Sequence, residues 1–399
     1  MITEEPHGPE AMCGTCPFPP AENDAIVNAM TSTKREAAST NGRRRILFGA
    51  FDRHNFGDLL LARCAAADAR GEIAFAGLAA RDLRDLGGLR TLALADAIAA
   101  FGGEDADFVH VGGELLTTTA WEAALMLQPP LEAARIVARH DRNPEARTVW
   151  AQSVLGTARR IPYVVAREEL PARWRTHFRP VGGVAFDSLA DAERDEILRA
   201  LDGATTLRVR DRTTFDALRR AGLDPDLRPD PAAETPTLFG RTIRQRGQRG
   251  ELAALHARLR SWIAVQLAAE WGDDATLDLL ARSLLAASAA RDVGVVLFRA
   301  GLAPWHDDLD TLRRLADRLR AERPVAIVES AHVFDICAVL AGARAYVGTS
   351  LHGWIVAHAF EVPARCLVWS PDDKAARYLD TWCSAPRQWR TPDDEPLFP

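Results

Sequence analysis

Short apolar runs alternate with amphipathic stretches along most of this chain, and each apolar run gives way to glycine, small polar or charged residues. That alternation is the tightest constraint on the fold. A strand buried on both faces reads as a continuous apolar run, and it needs covering helices above and below. The pattern therefore predicts an α/β fold with parallel, doubly wound sheets. The runs at 45–50, 73–78, 107–113, 148–151, 163–166 and 207–210 read as strands of a first block. Those at 293–298, 325–328, 345–347 and 365–369 read as strands of a second. Helices are expected over 59–69, 92–101, 121–140 with a break at Pro129-Pro130, 213–220, 308–320, 333–341 and 354–360. Asp58 is placed to cap the first of them, and Gly222 to stop the one after 213.

Two blocks of this kind predict two doubly wound domains facing across a cleft. The boundaries follow composition. Residues 1–43 are polar and aperiodic and read as a disordered leader. Residues 44–240 form the first domain, and 241–290 read as a helical connector or insertion. Residues 291–384 form the second domain, and 385–399 a loose, proline-rich tail. In open α/β sheets ligands bind beyond the carboxyl ends of the strands, so functional residues are expected just after each apolar run.

At 399 residues the chain has ample length for two such domains. A net charge of −6 argues against a protein that coats nucleic acid. No run approaches the roughly 18 consecutive apolar residues of a membrane span, and the acidic start, Met1-Ile2-Thr3-Glu4-Glu5, does not read as a signal peptide. These features point to a cytoplasmic chain. Six cysteines in this length are too sparse for a disulfide framework. Cys13 and Cys16 form a CxxC inside the polar leader, where neither a redox helix nor further zinc ligands accompany them. No metal site is expected.

Five strand ends carry chemistry. Asn55, Gly57 and Asp58 follow the first strand, where a tight turn leads into helix amides able to meet an anion or a hydroxyl. Gly112 and Gly113 end another strand and permit close approach to the main chain. Arg210 ends the run at 207–210, with a planar guanidinium suited to phosphate or carboxylate. Thr349-Ser350-Leu351-His352-Gly353 turns from strand to helix, and places a histidine able to transfer protons near neutral pH among helix amides. Lys374 opens the last helix. Only Lys34 and Lys374 among 49 basic residues are lysines, so Lys374 stands out in a chain that otherwise writes positive charge as arginine.

In this order the motifs resemble the polysaccharide pyruvyl transferase family. The matching residues are Asn55-Phe56-Gly57-Asp58, Gly112-Gly113, Arg210-Asp211, Ser350-Leu351-His352-Gly353, and Lys374 ahead of Tyr378-Leu379. The resemblance implies two Rossmann-like domains in a GT-B-like arrangement. It also implies transfer of the pyruvyl group of phosphoenolpyruvate, as co-substrate, onto two hydroxyls of one sugar. A cyclic ketal forms and phosphate leaves, and no further cofactor is called for. The acceptor would be a nucleotide- or lipid-linked glycan precursor of cell-envelope or exopolysaccharide biosynthesis. His352 is the expected acid or base. Arg210, Lys374, Arg299, Ser350 and Gly353 are the expected donor-binding residues, and Asn55, Gly57, Asp58, Gly112 and Gly113 would position the acceptor. The chain departs from the family pattern at Ser350, where an arginine is common, and at Glu114, where a third glycine is common. Two other readings compete. One is a GT-B-type glycosyltransferase using a nucleotide sugar, with Glu329 as the ribose-binding acid. The other is a non-catalytic relative that binds a glycan or a partner.

Overall fold

The computed structural model describes residues 43–383 and 389–391. The expectations for the leader, including Cys13 and Cys16, fall outside these residues. Two sheets organise the rest. The first has eight strands: β1 (Arg44–Phe48), β2 (Ile73–Gly77), β3 (Arg81–Asp82), β4 (Arg90–Ala93), β5 (Ala106–His110), β6 (Trp174–Val181), β7 (Thr206–Val209) and β8 (Asp226–Leu227), in the order 3-4-2-1-5-6-7-8. The second has six: β9 (Trp262–Gln266), β10 (Gly294–Phe298), β11 (Val325–Val328), β12 (Ala345–Gly348), β13 (Ala364–Leu367) and β14 (Trp389–Arg390), in the order 11-10-9-12-13-14. All neighbours pair parallel except β3 with β4. Strand order reverses between β1 and β5 in the first sheet and between β9 and β12 in the second. These are the switch points at which doubly wound sheets open a crevice.

Side chains alternate strictly along the central strands. In β10, Val295 and Leu297 enter a core on the outer face of the second sheet, and Val296 and Phe298 face inward. In β1, Ile46 and Phe48 face the outer core of the first sheet, and Leu47 faces inward. The two inward faces share one apolar layer. It contains the helices Phe56–Asp68, Thr235–Gly247, Val333–Ala341 and Leu351–Ala359, and it is continuous from Leu47 and Val109 to Trp262 and Tyr346. The sheets are therefore held in register by a common core as well as by their connections.

Several sequence expectations are corrected. Residues 241–290 are not a helical insertion. Their middle forms β9, the strand at the switch point of the second sheet, between the helices Gly250–Arg258 and Asp274–Arg291. Residues 148–151 lie in the helix Pro144–Leu155, which is capped by Asn143 and ended by Gly156 at φ 63°. Residues 163–166 are buried but form no strand; the Val165 amide donates to His110 Nε2 at 3.1 Å. β6 was not among the predicted strands, and its outward positions carry Arg175, His177 and Arg179 between buried Trp174, Thr176 and Phe178. Within the expected tail, Trp389 is buried and pairs with Cys366 on β13. Asn55 rather than Asp58 caps the first helix: its Oδ1 accepts from the amides of Gly57 at 2.9 Å and Asp58 at 3.4 Å.

If β9 is a core strand, Ile263→Ala should lower unfolding stability by about 2–5 kcal/mol, as truncation of a fully buried side chain does. In urea the midpoint should fall at unchanged slope. A loss below about 1 kcal/mol would place the segment outside the core.

Candidate active site

The loop after β1 is the hinge of the site, because it is bonded to both halves of the molecule. The Phe56 amide donates to the Ala300 carbonyl at 2.7 Å, and Asn55 pairs with Gly301 across the domain boundary. His54 Nε2 lies 2.7 Å from the Ala331 carbonyl, and His54 Nδ1 accepts from the Leu302 amide at 3.3 Å. That pattern places the ring proton on Nε2. Burial, the largest influence, keeps this imidazole below its usual pKa. These contacts fix the first turn of the helix Phe56–Asp68 against the second domain.

Gly57 in that turn touches His352. A Cβ added to Gly57 would fall 1.9 Å from His352 Nδ1, so no larger residue fits without moving the ring. His352 lies in the first turn of the helix Leu351–Ala359, directly after β12. Its Nε2 faces Asp230 Oδ2 at 3.4 Å, a long ion-pair distance rather than a formed hydrogen bond. Asp230 is completely buried. Its Oδ2 also takes Arg210 NH1 at 3.2 Å, its Oδ1 accepts from the Ala232 amide at 2.9 Å, and its own amide donates to Tyr378 Oη. Burial raises the Asp230 carboxyl, but His352 and then Arg210 outweigh it and bring the carboxyl down to about 2. Arg210 is only 2% exposed, and its NH2 reaches Glu114 Oε2 at 3.1 Å. Glu114 Oε1 accepts from the Val184 amide at 2.6 Å and from Thr117 Oγ1 at 3.1 Å.

A second cluster lies beside the first. Asn55 Nδ2 donates to His306 Nε2 at 2.7 Å, while His306 Nδ1 donates to the Pro304 carbonyl at 3.0 Å. Burial above all holds His306 near 4, and the charges of Arg53 and Lys374 push the same way. Asp307 accepts from Gln266 Nε2 at 2.7 Å and from the Ala300 amide, and burial raises its carboxyl to about 7. Gln266 ends β9, and its Oε1 accepts from the Ser350 amide at 2.8 Å, tying the turn after β12 to this cluster. Arg53 is buried, with NH1 2.7 Å from Tyr163 Oη and NH2 3.7 Å from Asp58.

The structure thus brings Gly57, Gly113, Arg210 and His352 together, and places Asn55 against His306 and Asp58 against Arg53. The close approach that Gly113 allows is made by Arg210, since a Cβ there would lie 3.0 Å from NH1. Gly112 makes room for the Leu115 side chain. Ser350 caps its helix by accepting from the Gly353 amide at 3.1 Å, so these two expected donor ligands bond one another. Arg299 and Lys374 differ from Arg210. Arg299 follows β10 with a buried Nε that has no partner, and its charge reaches Asp307. Lys374 is exposed at the first position of its helix and has no side-chain hydrogen-bond or ion-pair partner among the described residues. Glu329 lies apart from both clusters, in a polar groove along β11 with Arg258, Arg313 and Arg320. Asp230, His306, Arg53 and Gln266 went unread in the sequence. The only local signal was Asp230-Pro231, a turn-initiating pair within a proline-rich stretch. Among the described residues there is no group of three or more potential metal ligands, and no helix is long and apolar enough to cross a membrane.

Two doubly wound sheets with polar groups gathered at facing switch points define a two-domain α/β protein of GT-B-like architecture. Comparison with known proteins gives the family. The model for polysaccharide pyruvyl transferases matches residues 55–371, and the chain belongs to that family. It is therefore a transferase of the glycan-modifying kind. Among curated proteins no sequence matches. Among solved structures the chain is similar to a UDP-GlcNAc 2-epimerase from Methanocaldococcus jannaschii, at 12% identity and a TM-score of 0.49, covering 88% of this chain and 94% of that one. It is also similar to an E. coli heptosyltransferase, at 13% identity and a TM-score of 0.37, covering 87% and 92%.

The Asp230 pairing gives a pH signature. Its folded pKa lies below the ordinary 3.8, so its contribution to stability is full above about pH 4 and lost as pH falls towards about 2. Asp230→Asn should remove that part of the acid destabilisation, measured as melting temperature against pH for both proteins. Parallel curves would show that the pairing is not made in solution. Separately, Gly57→Ala should cost about 1–3 kcal/mol by overpacking and should displace the His352 ring, read from its NMR resonances.

Proposed function

We propose that the chain transfers the pyruvyl group of phosphoenolpyruvate onto two hydroxyls of a sugar in a glycan or glycan precursor. The observation that carries this reading is the placement of His352. It stands at the entrance of its own helix, across the domain boundary from the first turn of a second helix, with Asp230 behind Nε2 at 3.4 Å. A carboxylate there orients the ring and stabilises its cationic form during proton transfer. His352 delivers a proton to the terminal enol carbon of the donor. One sugar hydroxyl adds to the adjacent carbon and gives up its proton, which restores the acid. The second hydroxyl then displaces phosphate from that carbon, and its proton leaves with the phosphate. One C–O bond to phosphate breaks, two C–O bonds to the sugar form, and no electrons change hands.

The donor brings a carboxylate and a phosphate, and both need cations. Arg299 and Lys374 suit them best, because neither forms an ion pair among the described residues and the Arg299 Nε is buried without a partner. Asn55, bonded to His306, is placed to shape an acceptor pocket with it, and Asp58 faces Arg53 at 3.7 Å. The family and the absence of a membrane-crossing helix among the described residues fit action in the cytoplasm on a nucleotide- or lipid-linked precursor. The isolated position of Glu329 weighs against its use as a ribose-binding acid.

The test is a thermal-shift titration with phosphoenolpyruvate on the wild type, Lys374→Ala and His352→Ala. A ligand that binds only the native state raises the melting temperature with concentration. Stabilisation of the wild type and of His352→Ala, lost in Lys374→Ala, is the expected result. Stabilisation by a nucleotide sugar and none by millimolar phosphoenolpyruvate would overturn it in favour of glycosyl transfer.

A further inference from the structure

Arg210 sits at the end of β7 beside His352, where the sequence places an anion ligand, yet its guanidinium is closed on every side. NH1 is on Asp230 at 3.2 Å and NH2 on Glu114 at 3.1 Å. Gly113 and Gly182 pack against the rest of it, and a Cβ on Gly182 would lie 2.8 Å from Arg210 Nε and 2.4 Å from Glu114 Oε2. Glu114 is not a loose side chain resting on a convenient cation. Its other oxygen is held by the Val184 amide and Thr117 Oγ1, so the carboxylate is anchored against Arg210. Gly182 leaves the space this arrangement needs.

The charge balance follows. One guanidinium faces two carboxylates, Glu114 and Asp230. Asp211, next in sequence and equally buried, spends its carboxylate on Thr214. An anion approaching this corner meets a cation whose donors are already taken and the Glu114 carboxylate at its edge, at short range, where Coulomb terms are weakly screened. A hydroxyl meets an acceptor, since Glu114 keeps about a fifth of its side chain exposed and its Oε2, holding one bond from Arg210, has a second lone pair to offer.

We propose that Glu114 is a specificity-determining residue: it withdraws Arg210 from anion recognition and reserves the Arg210 side of His352 for an uncharged, hydroxyl-bearing group, the acceptor sugar. The donor's anionic groups are then read only from the Arg299 and Lys374 side. The inference rests on the pyruvyl-transfer reading for the identity of the two ligands, but the behaviour of Arg210 can be measured without it.

The experiment uses inorganic phosphate as the probe, titrated calorimetrically into the full-length wild type, Glu114→Ala and Glu114→Gln. The alanine variant removes both the charge and the bulk that close Arg210. The glutamine variant removes only the charge and can keep the bond from the Val184 amide, so it serves if the alanine variant does not fold. The expected result is at least a tenfold gain in phosphate affinity in Glu114→Ala, and a gain of at least threefold in Glu114→Gln. An unchanged or weaker affinity in the folded variants would overturn the proposal. A parallel titration of the wild type with phosphoenolpyruvate separates the two ideas. If the wild type ignores phosphoenolpyruvate while the Glu114 variants gain phosphate, the donor assignment fails and the role of Glu114 stands.

Discussion

The two sheets share one apolar layer, and the site depends on it. Helices from both halves of the chain bury their faces in that layer, so neither sheet can move far without exposing side chains such as Trp354, Phe56 and Leu59 to water. Burial of each is worth roughly 1.5–3 kcal/mol, and together they make the relative position of the sheets a property of the core. Only with that position fixed can His352, from the second domain, meet Gly57, Gly113 and Asp230 from the first. The hydrogen bonds from residues 54–56 to residues 300–302 and 331 then set the rotation of the first helix within ångströms.

Polar residues at the junction fall into two groups with different jobs. Arg210, Glu114 and Asp230 form a closed, buried network that satisfies itself and holds a histidine at its edge. Such networks are costly to break, because removing one partner strands a charge in a poor solvent. Beyond the carboxyl ends of the second sheet, Arg299 keeps a buried Nε without a partner and Lys374 stands exposed without an ion pair among the described residues. Separating satisfied from unsatisfied charge in this way distinguishes the residues that build a site from those available to a ligand.

Much of the fold was legible because burial on both faces writes itself into composition. β1, β5, β10, β11 and β12 were all visible as apolar runs. β9 was not. Trp262–Gln266 carries only four apolar residues in a row between two helices of similar composition, and periodicity cannot tell a buried strand from a helix segment at that length. β6 was hidden for the opposite reason, since its arginines and histidine gave it the look of a polar loop. At 148–151 local apolar content was misleading, although Asn143, Pro144 and Gly156 carried the cap and stop signals of the helix that forms there.

The sequence by itself determined the α/β class, the strand-end positions of His352, Arg299 and Lys374, and the glycine at 57. Each of these follows from local pattern: apolar runs, turn residues, and a lysine in an arginine-rich chain. Only the tertiary structure decided which charges remain available. Arg210 lies 96 residues from Glu114 and 20 from Asp230, and their pairing depends on the packing of β5, β7 and the loop around Gly182. The Asn55 bond to His306 spans 251 residues. Pairings over such separations are selected by packing and desolvation in the folded chain, to which no local pattern of residues responds.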